Sequence, residues 1–278
     1  MNMKQKYKDI LITLFKRFFS FRARKFLINF LALKKFDEVD MVFEFTRNTK
    51  VKKIMLDVGA HTGGSCEQFL DQSWRVYAFE PDKRNRRILE LLEKKYPKLL
   101  IDTRAISQKD GEIVKFYTSN VSSGISGLSK FHSSHHSDYS VETVRLETYC
   151  SERGIQDVGF LKIDTEGFDL FVLQSLDWEK IRPEIIVCEF EDNKTKSLGY
   201  NFNDLINFFN NKNYFVIISE WYPIVEYGQP HKWNKFHDYQ HNITDQNAWG
   251  NIIAFKDNNL FADFCKFKSN YLNSSKFN

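Results

Sequence analysis

A glycine-containing run and an acid further along the chain could together hold the nucleoside part of a cofactor. The run Asp57-Val58-Gly59-Ala60-His61-Thr62-Gly63-Gly64 follows an apolar segment, and a second apolar segment ends in Phe79-Glu80-Pro81. Glycines allow the backbone of a turn to approach a ligand closely, and an acid about 20 residues later accepts hydrogen bonds from a ribose. Asp57 and Glu80 are 23 positions apart. This pattern predicts an enzyme that uses a nucleotide-type cofactor.

The positions of the glycines indicate which cofactor this is. A dinucleotide-binding turn has the pattern G-x-G-x-x-G, because a pyrophosphate must rest on the N-terminus of the following helix. His61 occupies the place of the second glycine, where a side chain would crowd a pyrophosphate. Asp57 also suits a cationic ammonium better than a phosphate. The pattern favours S-adenosylmethionine, which has an amino-acid tail and no phosphate, over NAD and over an αβ turn without a ligand.

Four predicted strands end in an acid, and these acids are Asp57, Glu80, Asp164 and Glu189. Open α/β sheets bind ligands at the carboxyl ends of their strands, so the four acids predict one acidic rim. Methyl transfer to a hydroxyl requires alignment of the reacting atoms and removal of the hydroxyl proton. Asp164 and Glu189 are therefore candidate catalytic bases. They are alternatively ligands of a divalent cation that lowers the pKa of the hydroxyl, or helix N-caps.

Histidines provide further candidates. His237, beside Asp238, is a third candidate catalytic residue, whereas His61 in the glycine turn is assigned to the cofactor. A polar loop over residues 119–140 contains three more histidines, His132, His135 and His136. A dense histidine tract suggests metal binding, but the neighbouring serines are typical of a surface loop. A lid over the acceptor, a metal site and an inert loop all remain as interpretations.

Apolar segments alternate with helical ones along most of the chain. Strands are predicted over residues 53–58, 74–79, 99–103, 105–106, 113–117, 141–146, 158–163, 184–190, 214–218 and 251–255. The dipeptide Asp110-Gly111 predicts a hairpin between the fourth and fifth of these segments. Strands that alternate with helices predict an α/β fold, whose mostly parallel sheet is covered on both faces.

The net charge of +4 hides a basic N-terminal end. Residues 1–35 contain ten Lys or Arg and one acid, which gives +9 and leaves −5 for the other 243 residues. This asymmetry argues against a protein that binds nucleic acid over its whole surface, and no nucleic-acid partner is expected. We predict a basic amphipathic helical extension over residues 1–50 and a catalytic domain over residues 51–278. The extension is interpreted as a cap on that domain or on a second subunit of a homodimer, or as a membrane-surface helix within residues 1–35. A nucleic-acid-binding arm is the third interpretation of this end.

The expected location is the cytoplasm. No signal peptide is recognisable, because charges interrupt the apolar N-terminal stretch. No apolar run approaches the roughly 20 residues that a membrane-spanning helix needs. The four cysteines are dispersed and predict free thiols in a reducing compartment. Membrane association through residues 1–35 remains the alternative.

Several of these runs together resemble the FkbM-type methyltransferases. The similarity extends over about residues 52–256, and the order and spacing of the runs make it specific. The matching runs are Asp57-Val58-Gly59-Ala60 with Gly63, Phe79-Glu80-Pro81, Ala105-Ile106-Ser107 with Gly111, Ser123-Gly124, Leu161-Lys162-Ile163-Asp164-Thr165-Glu166-Gly167 and Asn251-Ile252-Ile253-Ala254.

The resemblance implies a class I methyltransferase fold, Rossmann-like and doubly wound, with a mostly parallel seven-stranded sheet. It also implies S-adenosylmethionine-dependent methylation of a hydroxyl, often on sugars or natural products, so the expected partner is a hydroxyl-bearing acceptor, most simply a carbohydrate. Residues carried over as cofactor contacts are Asp57, Gly59, Gly63, Glu80 and Pro81, with Asp102, Thr103 and Ala105 near the adenine and Asp164 and Glu166 beside the methyl group. His61 departs from the asparagine that is usual in the family.

Overall fold

The computed structural model describes residues 36–229, 231–238 and 247–274. The predicted basic helix within residues 1–35 lies outside these ranges. Strands β1 to β11 are Ile54–Val58, Arg75–Phe79, Leu99–Asp102, Ala105–Ile106, Ile113–Ser119, His135–Val144, Phe160–Ile163, Ile185–Glu191, Phe215–Trp221, Trp233–Asp238 and Trp249–Phe255. Helices α1 to α8 are Glu38–Thr46, Glu67–Asp71, Lys83–Lys95, Leu146–Arg153, Asp169–Gln174, Asp192–Thr195, Phe202–Asn211 and Asn258–Ser274.

The main sheet confirms the predicted α/β class and its mostly parallel character. Its strand order is β10-β9-β11-β8-β7-β1-β2-β3. The five strands from β8 to β3 are mutually parallel, whereas β11 runs antiparallel to both β8 and β9. The sheet has eight strands instead of the expected seven, because β10 adds an antiparallel edge to β9. The mixed polar and aromatic sequence of β10 gave no strand signal.

The central strands are buried on both faces. Apolar side chains from β1, β7 and β8 contribute to one hydrophobic cluster through Leu56, Leu161 and Ile186. The next residues back along each strand point to the opposite face and join a second cluster through Met55, Phe160 and Ile185. Each such side chain contributes about 1.5–3 kcal/mol when it is fully buried. This double burial fixes the register of the parallel strands and aligns their carboxyl ends.

A second, three-stranded sheet has the order β4-β6-β5. The predicted hairpin between β4 and β5 is wrong, because β6 lies between them, parallel to β4 and antiparallel to β5. The carboxylate of Asp110 explains the error: it accepts hydrogen bonds from the Arg145 backbone (2.7 Å) and the Thr148 hydroxyl (2.8 Å) at the start of α4. Asp110 therefore ties the segment after β4 to a helix instead of closing a hairpin.

Helix α1 falls within the predicted extension 1–50. Its Met41 and Val42 are fully buried in the same apolar cluster as Met55 of β1. The helix begins at a capping residue, since the Asp37 carboxylate accepts a hydrogen bond from the backbone of Asp40 at 3.0 Å. Among the helices of the described ranges, none has the length and apolar character that crossing a bilayer requires.

Candidate active site

A cavity of about 340 Å³ lies at the carboxyl ends of β1, β2, β7 and β8. We call one side of it the turn end, which is lined by Gly59, His61, Glu80, Pro81 and Ala105. We call the other side the aromatic end, which is lined by Ile224, Tyr227, His231 and Trp249. Asp164, Glu166, Glu189 and Lys194 line the wall between the two ends.

The cavity brings most of the sequence-predicted site residues together. Those that line it are Gly59, His61, Glu80, Pro81, Ala105, Asp164, Glu166 and Glu189. Those outside its lining are Asp57, Gly63, Asp102, Thr103 and His237. The strand-end acids other than Asp57 thus form the predicted acidic rim.

The glycines of the turn are needed mainly for packing. Gly59 has a φ of +79°, and a Cβ there would lie 1.8 Å from the backbone oxygen of Asp164. Gly63 has a φ of +77°, and a Cβ there would lie 2.5 Å from a methyl group of Leu92 on α3. Both positions therefore require glycine so that the turn can approach β7 and α3, whether or not a ligand is near.

Glu80 is the buried acid of the turn end. Its two carboxylate oxygens accept hydrogen bonds from the backbone of His61 and of Asp82, each at 2.7 Å. Burial raises the pKa of Glu80 to about 8. Each carboxylate oxygen retains lone pairs for a further donor. Glu80 thus presents a fixed carboxylate to the cavity, and its contact with the hydroxyls of a ribose stays a prediction.

His61 connects the turn to the loop that follows β5. Its backbone is left-handed, with a φ of +50°. The His61 Nε2 atom lies 2.9 Å from the Ser123 hydroxyl, and the Asn85 amide on α3 donates to the Ser123 carbonyl oxygen at 3.4 Å. These contacts hold the segment 122–128 against the cavity, which that segment lines.

Asp57 is paired within the protein instead of facing the cavity. Its carboxylate accepts a hydrogen bond from the Ser65 hydroxyl at 2.6 Å, and Lys162 Nζ lies 3.7 Å from its other oxygen. Burial raises the pKa of Asp57, and Lys162 opposes that shift. The Asp57 carboxylate thus has partners within the protein, and its contact with a ligand ammonium stays a prediction.

Lys162 is a site residue that sequence reasoning missed. Its Nζ donates to the Gly59 carbonyl oxygen at 2.7 Å and lies 3.2 Å from the Asp164 carboxylate. Burial disfavours the charged ammonium, but Asp164 and Asp57 outweigh this effect, so the pKa of Lys162 is raised. A lysine between apolar residues of a buried strand needs an acidic partner, and this was the signal available in the sequence.

Lys194 lies among three glutamates beside the aromatic end. Its Nζ is 2.7 Å from Glu166, 2.8 Å from Glu191 and 3.0 Å from each carboxylate oxygen of Glu189. The Tyr227 hydroxyl donates to the other oxygen of Glu191 at 2.7 Å. Burial raises the pKa of Glu166 to about 8 and raises that of Glu189 well above its usual range, while Lys194 opposes both shifts.

Asp164 differs from these glutamates because it is partly exposed to the cavity. Its side chain is 41% accessible. Desolvation acts to raise the pKa of Asp164, but Lys162 and Lys194 together outweigh it and hold that pKa below its usual range. The wall of the cavity therefore combines an ionised aspartate with glutamates that retain protons more readily.

Three of these acids have the spacing of a cation site. Carboxylate oxygens of Asp164, Glu166 and Glu189 lie within 4.8 Å of one another. Among the described residues, this is the single group of three or more metal-ligating side chains, and it contains no histidine. Asp164 and Glu189 were the predicted cation ligands, and Glu166 is the member that the sequence did not assign to a cation.

The remaining predicted residues lie elsewhere. The Asp102 carboxylate pairs with Arg104 at 2.8 Å, and it is Arg104 that lines the cavity. Thr103 lies between them in the chain. His237 lies on the edge strand β10 and contacts Glu220 of β9, outside the cavity lining.

The histidine loop contacts the aromatic end. The ring of His132 packs against Tyr227 with a centroid distance of 5.3 Å, and Phe131 packs against the same ring at 6.0 Å. His135 is buried at the start of β6. His132 and His136 both contact Ser134. This placement supports the lid interpretation more than the inert loop.

The chain is similar in sequence to known methyltransferases. Residues 57–216 match the methyltransferase FkbM domain family. The 2-O-methyltransferase NoeI of Sinorhizobium fredii is 26% identical over 159 residues, which represent 51% of this chain and 65% of that relative. The chain therefore aligns with less than two thirds of the length of NoeI.

Solved structures with a similar course of the chain include two methyltransferases. Magnesium protoporphyrin IX methyltransferase (ChlM) of Synechocystis, with bound S-adenosylmethionine, has a TM-score of 0.42 at 7% identity, covering 79% of this chain and 78% of that one. Precorrin-6y C5,15-methyltransferase of Geobacter metallireducens has a TM-score of 0.39 at 13% identity, covering 79% and 89%. The family match covers more than half of the chain, which thus belongs to the FkbM methyltransferase family.

Proposed function

We propose that this enzyme methylates a hydroxyl of a sugar, in a surface glycan or its precursor. The observation that carries the proposal is the position of Glu189. This carboxylate lines the cavity between the turn end and the aromatic end, and both of its oxygens accept hydrogen bonds from Lys194 at 3.0 Å. A hydroxyl acceptor needs a base at the place where it meets the methyl group.

The chemistry assigns different tasks to the acids of the wall. S-adenosylmethionine, when bound, supplies an electrophilic methyl carbon on a positively charged sulfur. Glu189 would accept the proton of the acceptor hydroxyl. The transfer would break the bond between the methyl carbon and sulfur, with S-adenosylhomocysteine as the leaving group. Asp164 remains ionised, since its pKa is lowered, and offers negative charge to a cationic cofactor. Glu80 holds the ribose, so that the reacting atoms are aligned before the proton moves.

The aromatic end supports a carbohydrate acceptor. Tyr227, His231 and Trp249 offer rings with polar edges, which suit a sugar because one face of a pyranose is apolar and its rim is polar. A second cavity of about 310 Å³ shares Ile224 and Tyr227 with the first. Its lining includes the amides of Asn193 and Asn247 and the ring of Phe131. The similarity to NoeI, a 2-O-methyltransferase, supports a hydroxyl acceptor.

A lipid-linked, protein or small natural-product acceptor is the alternative. The basic residues 1–35 favour a lipid-linked acceptor on charge grounds, and deletion of these residues would then abolish vesicle binding and activity together. Membership of a methyltransferase family removes the NAD-dependent oxidoreductase that the sequence left open.

Transfer of labelled methyl from S-adenosylmethionine into fractionated host extract tests the proposal. Polysaccharide, nucleotide sugar, lipid and protein are separated, and Glu189→Gln enzyme serves as the control. Label in polysaccharide or nucleotide sugar, absent with the control, supports a sugar acceptor. Label that enters lipid or protein instead refutes it while the methyltransferase assignment stands.

A further inference from the structure

The ammonium of Lys194 occupies the centre of the acidic wall. Its contacts of 2.7–3.0 Å reach Glu166, Glu189 and Glu191, and its side chain is 3% accessible. Two of these glutamates, with Asp164, are the acids whose spacing suits a divalent cation. We propose that Lys194 is an internal cation that takes the place of a metal ion, so that the enzyme positions Glu189 without any divalent cation. The catalytic part of this inference rests on the proposed function.

The fold is built to place Lys194 there. Helix α6 begins directly after β8, so Lys194 follows Glu189 by five residues and Glu191 by three. Gly167 provides room for it: a Cβ at Gly167, which has a φ of +105°, would lie 3.2 Å from the Cβ of Lys194. The ring of Phe131 lies 5.7 Å from the ammonium. The start of helix α6, Gly167 and the ring of Phe131 thus together accommodate the Lys194 side chain.

A divalent cation cannot share these oxygens with the ammonium. Such a cation needs oxygen ligands at about 2.0–2.6 Å. Both oxygens of Glu189 and one of Glu166 already lie within hydrogen-bond distance of Lys194. The Lys194 ammonium donates hydrogen bonds to both oxygens of Glu189 and forms ion pairs with Glu166 and Glu191. The consequence is a fixed orientation for Glu189, which makes Lys194 a positioning residue.

Titration of Mn²⁺ followed by electron paramagnetic resonance tests the inference without any acceptor. The full-length wild-type chain should bind Mn²⁺ more weakly than about 1 mM. Lys194→Ala should bind one Mn²⁺ at least tenfold more tightly, and Lys194→Ala/Glu189→Gln should lose that gain. Lys194→Arg, which keeps the charge, and Lys180→Ala, an exposed lysine paired with Asp177, should both behave like the wild type.

Two results would overturn the inference. In the first, the wild type binds one Mn²⁺ tightly and the Glu189→Gln variant does not. In the second, Lys194→Ala folds but binds Mn²⁺ no more tightly than the wild type does. If circular dichroism shows that Lys194→Ala does not fold, the double variant Lys194→Ala/Glu191→Gln takes its place, because it removes one acid together with the lysine.

The labelled-methyl assay provides a second test. EDTA should change the rate of the wild type less than twofold. A rate that EDTA lowers further and that Mg²⁺ restores contradicts the inference. Failure to find a sugar acceptor leaves the Mn²⁺ result intact, so the two proposals fail separately.

Discussion

The two buried lysines of the cavity neutralise carboxylates in different ways. Lys162 contacts Asp57, Asp164 and the Gly59 carbonyl oxygen, and it lies behind the glycine turn. Lys194 contacts three glutamates and lines the cavity itself. One lysine thus faces two carboxylates, and the other faces three.

The two lysine clusters differ in how readily their carboxylates hold a proton. Around Lys162 the surplus of negative charge is small, and Asp164 remains ionised with a lowered pKa. Around Lys194 the surplus is larger and more deeply buried, so the pKa of Glu166 and of Glu189 is raised. We therefore expect the ionised Asp164 to serve binding and the glutamates around Lys194 to serve proton transfer.

Glu189→Gln should have the largest effect on activity. Loss of a general base lowers the rate by about 10²–10⁴-fold, while the affinity for S-adenosylmethionine should change less than about twofold. Steady-state kinetics and calorimetric titration measure the two quantities. The exposed Glu142→Gln on β6 is the matched control. Equal losses of rate and of cofactor affinity would erase the functional distinction between the two lysine clusters.

Lys162→Met should affect stability most. It leaves Asp57 and Asp164 without their cation, and breaking a buried ion pair from one side costs about 3–5 kcal/mol. The free energy of unfolding from urea titration measures this loss. Lys180→Ala, whose side chain is 76% accessible, should change it by less than about 0.5 kcal/mol. A loss below about 1 kcal/mol for Lys162→Met would show that the Lys162 cluster is not a structural one.

The turn end should also make stability depend on pH. Burial raises the pKa of Glu80 from 4.5 to about 8, so the folded state retains a proton that the unfolded state releases. This stabilisation is complete below a pH of about 4.5 and is lost as the pH rises through about 8. The stability of the wild type relative to Glu80→Gln, without cofactor, should fall by about 2 kcal/mol from pH ~6 to pH ~8. A constant difference across that interval contradicts the assignment.

Glu80→Ala should weaken cofactor binding at least tenfold. At a pH above about 8, where Glu80 is ionised, hydrogen bonds to its charged carboxylate contribute about 1.5–3 kcal/mol each, and the substitution removes the carboxylate that faces the cavity. Calorimetric titration with S-adenosylhomocysteine measures the change. An unchanged dissociation constant would mean that the ribose is held elsewhere.

Asp102→Asn should have the smallest effect. The Asp102 carboxylate lies outside the cavity lining and pairs with Arg104, so the dissociation constant of the cofactor should change less than about twofold, which is about 0.4 kcal/mol. A loss as large as that of Glu80→Ala would restore Asp102 to the adenine site that its position in the chain suggested.

The turn end was predictable because local pattern determines it. Apolar strands, a glycine turn and a strand-end acid fix β1, β2 and Glu80, and the ends of parallel strands meet at one edge. The same reasoning predicted Asp164 and Glu189. His61 was assigned to this turn, and its backbone contact with Glu80 agrees with that assignment.

The aromatic end was not predictable in the same way. Lys194 belongs to a four-residue helix and meets Glu166, which lies 28 positions earlier, only through the pairing of β7 with β8. Tyr227 lies in a loop without a motif and reaches Glu191 across 36 positions. The parallel pairing of β4 with β6 also depends on the tertiary fold instead of local sequence. Long-range juxtaposition of charged side chains leaves little trace in a single sequence.

The left-handed backbone of Glu166 predicts which residue selection should keep at this position. Its φ of +58° is a conformation that glycine and asparagine adopt more readily, so a glutamate there costs the fold about 1 kcal/mol or more. Selection for thermal stability alone favours glycine at position 166, and a glycine there has no carboxylate to offer Lys194. Variants selected only for thermal stability should therefore replace Glu166 with glycine. Variants that must also remain active should keep the glutamate.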